Sequence, residues 1–318
     1  TGATLDLSGL GQFRYGNGAG TFGVASGDDQ KGTMTLAGDN AIMAASIVLG
    51  YGAGQDSTGV LRLGAANTIN VNSIYVGRMK STNTKLEFAS PGGTLTLRGV
   101  AGGTSRVNLY VGYNDNSGAS SIWVNGCQVN WNNSTVDARI NTLEVGYNNL
   151  AAGQGQGTLN FNQGTLDITT ARVGYKQGAS GGIANGTMNV GGGSVAIGSL
   201  VIAGAAAGGD SAGTVNITGG TVSMSGNITT SADCAGTLAL NGGGAVLDMN
   251  LYNVGSATAV ISNFTFTAGT FRDPGIVYGN VRLAGAGFRL FEQTAGSGQI
   301  RAVISGSGVG LTKAGDGL

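Results

Sequence analysis

The chain has 318 residues, 62 of them glycine and 2 proline, with 16 basic residues balanced by 16 acidic ones and no histidine. Glycine without a strict G-X-Y register excludes collagen, and 41% hydrophobic residues at zero net charge is the opposite of the signature of a disordered chain. Only 10% of residues are charged, so there is no basic stripe for nucleic acid and no polybasic segment for anionic lipid, and no apolar run reaches the roughly 18 residues that span a bilayer.

In chain order, the opening Thr1–Gly9 (TGATLDLSG) has neither a basic nor an apolar leader region, so any export signal is expected outside this chain. A three-letter phrase then recurs: MTL at Met34, LRL at Leu61, LTL at Leu95, IWV at Ile122, LNF at Leu159, MNV at Met188, VNI at Val215, LAL at Leu238 and FTF at Phe264. Its outer letters are apolar and its middle letter varies, which is the period-two pattern of a strand with one face buried. A second strand follows a glycine-containing corner, as in Thr165–Ile168 and Val222–Met224. The third strand ends in a characteristic tail: IVLGY at Ile47, IYVGR at Ile74, LYVGY at Leu109, LEVGY at Leu143, ARVGY at Ala171 and LVIAG at Leu200.

Three strands and a polar loop return roughly every 23 to 36 residues, a period that signals a solenoid. The reading is an all-β fold, a right-handed parallel β-helix with three short strands per coil, about eleven coils and a length of roughly 50 Å at about 4.8 Å per coil. Residues 1–318 are read as a single β-helix, a segment of a longer protein or an end-stacking subunit, with less regular coils over 263–318. Glycine serves the corners, where positive φ and close backbone approach exclude other residues. Cys127 and Cys234 are expected to be buried thiols several coils apart, too far for a bridge.

The alignment predicts outward-facing columns where chemistry would lie. The first strand gives Thr35, Arg62, Thr96, Trp123, Asn160, Asn189, Asn216, Ala239 and Thr265; the second Asp167, Ala196, Ser223 and Asp248; the third Val48, Tyr75, Tyr110, Glu144, Arg172 and Val201. No two carboxylates fall on neighbouring coils as glycoside hydrolysis would want, and without histidine neither a Ser-His-Asp triad nor a histidine zinc site can be built. The expectation is no enzyme, no cofactor and no metal; the loops Gly112–Gly118 and Gly208–Gly213 hold one acid each, too few for calcium. Asn160, Asn189 and Asn216 are expected to form a stacked amide ladder, and Glu144 with Arg172 an exposed ion pair between coils, the one such neighbour pair in the columns. Tyr113, Tyr147 and Tyr175 are expected to stack at one corner. With an outward Trp123, and Trp131 inward on the same coil, they are the candidate contacts for a glycan or protein.

The end of the chain, ISGSGVGLTKAGDGL from Ile304, resembles the passenger-associated transport repeat of autotransporter proteins, with its Gly-Ser-Gly followed by Gly-Leu-Thr-Lys; Val309 is an extra residue in that pattern. The GTVNITGGTV-like phrases look like the long surface proteins of Verrucomicrobia and Planctomycetes that carry such repeats. The resemblance implies a secreted or surface-displayed β-helix and no particular activity. The function expected is an extracellular structural solenoid, a surface stalk or passenger or a filament subunit that associates end to end or continues along one chain. The alternative is a polysaccharide-active enzyme or a glycan-binding adhesin of the same shape. Possible surface glycan contact is the only other partner expected, with no nucleic acid and no membrane insertion by this segment.

Overall fold

The computed structural model describes residues 2–115, 123–150, 152–178, 181–206 and 210–316. Among them are twenty-two strands and no helix, and the strands pair in parallel with those of the coils above and below. The fold is a parallel β-solenoid, and its first face can be followed in register from end to end. Leu5, Met34, Leu61, Leu86, Val129, Leu159, Met188, Val215, Leu238, Phe264, Val281 and Ile304 form one file of eleven steps. At the spacing of paired strands this file is about 50 Å long.

A second face carries Ile42, Ile69, Leu97, Ala138, Leu166, Val195, Val222, Leu247, Phe271 and Phe291. The third carries Phe22, Ile47, Ile74, Leu109, Leu143, Ala171, Leu200 and Ile228. These files point inward and merge into one continuous apolar core. Each coil is too thin to bury its own aliphatic residues; stacked, they lose contact with water at about 1.5–3 kcal/mol per side chain.

The recurring phrases have a common cause in one corner. The glycine of each Val-Gly-Tyr tail turns the chain with positive φ, +67° at Gly112, +69° at Gly146 and +69° at Gly174. The glycine of the Gly-Thr that opens a first-face strand packs against that turn. A Cβ on Gly157 would lie 2.1 Å from the Val111 carbonyl oxygen, and one on Gly186 2.0 Å from that of Val145. Both positions therefore need glycine, one for torsion and space, the other for space.

Two phrases occupy other places than the alignment assigned. Leu95 lies on the second face, in register with Asn67 and Val136, and the first-face position of its coil belongs to Leu86. Ile122 lies outside the described residues; the adjoining Trp123 and Val124 run ahead of the first face, which is reached at Val129. Alternation specifies a half-buried strand but not which side of the solenoid it forms, and the coil from Leu86 to Val129 is the longest. Thr96 consequently leaves the first outer column, and Glu87 and Asn130 enter it.

Toward the C-terminus the geometry tightens. The single strand Ile276–Leu283 serves two faces, bridging Val254 through Val277 and pairing with Phe264 through Val281. Phe264, Phe266 and Phe291 meet Phe271 edge to face at 5.2, 6.5 and 5.8 Å, filling the core where the coil is shortest. Cys127 and Cys234 are both buried.

Candidate functional site

The chemically richest surface is the third face between Tyr51 and Tyr175. In a regular strand, residues an odd number apart point to opposite sides. The left-handed glycine in each tail reverses that parity, so the residue two before it and the residue after it share one side. Tyr110 and Tyr113, flanking Gly112, have ring centroids 4.6 Å apart. Two outward columns thus converge into one patch. Tyr75 stacks on Tyr110 at 4.7 Å with an interplanar angle of 14°, Tyr113 on Tyr147 at 4.5 Å and 12°, and Tyr147 on Tyr175 at 6.3 Å and 12°.

Charge is threaded through this aromatic ladder. Arg78 lies over the Tyr75 ring at 4.6 Å and forks onto Asp115, donating from Nε at 3.0 Å and from Nη2 at 2.7 Å. One coil on, Glu144 sits in file between Tyr110 and Arg172. Its Oε1 accepts a hydrogen bond from Arg172 Nη1 at 2.9 Å, and that guanidinium lies 4.6 Å over the Tyr175 ring. Glu144 is only 3% exposed, and its Oε2 has no hydrogen-bond partner. Burial pushes the carboxyl up to about 7 against the opposing pull of Arg172. Burial also raises the phenols: Tyr147 to about 12, and Tyr110 and Tyr113 upward, so all three stay protonated near neutrality.

Two expectations about this surface change. The Glu144–Arg172 pair forms between coils, but it is buried on the glutamate side, because the converging tyrosines close over the column. Tyr113, Tyr147 and Tyr175 stack, yet they do not present open rings: Tyr147 is buried, and Tyr113 and Tyr175 are half-buried. Their faces are taken by one another and by Arg172. Trp123 is 49% exposed, and Trp131 is fully buried with its indole nitrogen unpaired.

On the first face Asn189 donates to Asn160 Oδ1 at 2.8 Å, and Asn216 donates to Asn189 Oδ1 at 2.8 Å. Just before them Arg62 pairs with Glu87 at 3.1 Å. Other ion pairs also join coils, so Glu144–Arg172 is one of several: Arg14–Asp39 at 2.6 Å and Arg98–Asp137 at 2.6 Å link adjacent coils, and Arg106–Asp167 at 2.7 Å spans two rungs, past Ile140. Arg272 stands between Asp248 and Glu292. Arg14 and Arg98 escape a column alignment because each reaches diagonally along the neighbouring coil, whereas Arg272 stands in file with both its acids.

The interior corners hold a second set of amides that alternation alone does not reveal. Asn40 donates to Asn67 Oδ1 at 2.9 Å, and Asn67 to the Thr94 carbonyl at 2.9 Å. Asn148 donates to the carbonyls of Gly153 and Ile183, each at 3.2 Å, and Lys176, next in file, donates to Leu150 O at 2.5 Å. The signal was present as Asn after the tail tyrosine in GYN at Gly112 and Gly146.

Among the described residues no three histidine, cysteine or acidic side chains cluster as a metal site, and no helix is long and apolar enough to cross a membrane. The two loops weighed for calcium lie partly outside the described residues, at Gly118 and at Gly208. No family model, curated protein or solved structure matches this chain.

Proposed function

We propose that this chain is an extracellular structural solenoid, a surface stalk or passenger segment or a filament subunit, whose coils are continued head to tail. The observation that carries the reading is the use made of the outer polar groups. The asparagine ladder and the exposed ion pairs along the faces tie coils together, which is what a load-resisting rod needs. The first-face file also ends in apolar side chains, Leu5 at 51% exposed and Ile304 at 42%. A further coil, from the same polypeptide or another copy, would extend the file and cover both. The resemblance of the Ile304–Leu318 segment to passenger repeats agrees with surface display.

Negative-stain electron microscopy and light scattering over a concentration series test this reading. Rods that lengthen in steps of one chain support end-stacking, and Leu5→Lys or Ile304→Lys should abolish the lengthening. Compact monomers at every concentration, with no longer form in the native source, would overturn it. A second reading, glycan binding, is favoured by the exposed Trp123. A glycan array with Trp123→Ala as control tests it.

A further inference from the structure

We propose that Glu144 and Arg172 form a proton-operated clasp on the tyrosine face, gripping adjacent coils most firmly when Glu144 is a neutral acid and loosening when it ionises. This contact does not depend on how the rod assembles. The Glu144 carboxyl is 3% exposed, with one oxygen on Arg172 and the other aimed at no donor.

The groups around it determine the sign. From the preceding coils come Tyr75, Tyr110 and Tyr113, with Arg78 already forked onto Asp115. From its own strand comes Tyr147, and from the next coil Arg172 and Tyr175. Arg172 is therefore the one cation on Glu144 among the described residues, and its side chain, 35% exposed, shares its charge with water. The other charges of the patch, Arg78 and Asp115, are paired with each other.

Ionised, Glu144 leaves a charged Oε2 buried without a partner, which one partly solvated ion pair does not offset. Protonated, it is a neutral group in an aromatic setting. The folded-state value lies above the ordinary 4.5, so the folded chain holds this proton over a range where the unfolded chain has released it. The stabilising contribution is complete below that ordinary value and is lost as pH rises through about 7. Most carboxylates act in the opposite sense.

The chain has three glutamates, Glu87, Glu144 and Glu292, so carbon-13 labelling of glutamate carboxyls gives three resonances to follow against pH. Glu144→Gln assigns the one that disappears. The expected result is a midpoint near neutrality for Glu144, and a further upward shift in Arg172→Gln. The melting temperature of the wild-type chain should fall relative to Glu144→Gln between about pH 5 and 8 and match it in acid. A Glu144 midpoint at or below its ordinary value in the wild-type chain would overturn the proposal. So would a Glu144→Gln variant that folds but melts below wild type at pH 8.

Discussion

Replacing Gly146 by alanine probes the corner that makes this sequence repeat. The new methyl would lie 1.9 Å from the Asn185 carbonyl oxygen, 2.2 Å from its carbon and 2.6 Å from the Gly186 nitrogen, on a residue held at φ +69°. Left-handed torsion costs alanine about 1–2 kcal/mol. The clash is with backbone, which has no rotamer to change, and forcing it apart adds about 1–3 kcal/mol. Reduced entropy of the unfolded chain offsets about 0.4–1 kcal/mol. The net loss is then about 2–4 kcal/mol. Ala203, the tail residue in LVIAG, provides the control: it already sits at φ +57° with its methyl accommodated, so Ala203→Gly should change stability by less than about 1 kcal/mol. Guanidinium unfolding followed by circular dichroism measures both. Amide exchange at Val145 and Gly186 checks that the loss is local, since stacked repeats can open in parts. A Gly146→Ala variant within about 0.5 kcal/mol of wild type would refute the account of the corner.

Asn189→Ala removes both 2.8 Å bonds of the outer ladder, and because the site is half-buried, water replaces part of them; a loss of about 1–2 kcal/mol is expected from the same unfolding assay. Acrylamide quenching should separate the tryptophans: Trp123→Phe leaves a blue-shifted, protected emission from Trp131, and Trp131→Phe leaves a red-shifted, quenchable one. Cys127, its thiol pushed up to about 12 by burial, should resist a thiol reagent at pH 8 until the chain unfolds.

The third face was the most legible part of the sequence. Val48, Tyr75, Tyr110, Glu144, Arg172 and Val201 stand in one file because the Val-Gly-Tyr tail anchors register at a corner that only glycine turns freely. The first face was legible where Gly-Thr opens the strand and failed at Leu95 and Ile122. There apolar alternation matched two faces equally, and Leu86, preceded by Thr84 and Lys85, carried no such mark. Burial at Glu144 was hidden for a different reason. A column places neighbours one coil apart, but Tyr113 and Tyr147 reach the glutamate from a second column, brought alongside by the reversed parity at Gly112 and Gly146. The interior amides Asn40, Asn67 and Asn148 sit near strand ends beside the corners, and apart from the Asn40–Asn67 bond they donate to backbone carbonyls that side-chain patterns do not show.

The stack itself is tested most directly by distances between spin labels on one outer file, with Cys127 and Cys234 protected by burial. Labels at Thr35→Cys and Asn216→Cys are six rungs apart, and at Thr35→Cys and Thr265→Cys eight, which predicts separations of about 29 and 38 Å at about 4.8 Å per rung. A difference of about 10 Å between the two pairs is the expected result. Equal separations, or a longer one for the nearer pair, would contradict the solenoid.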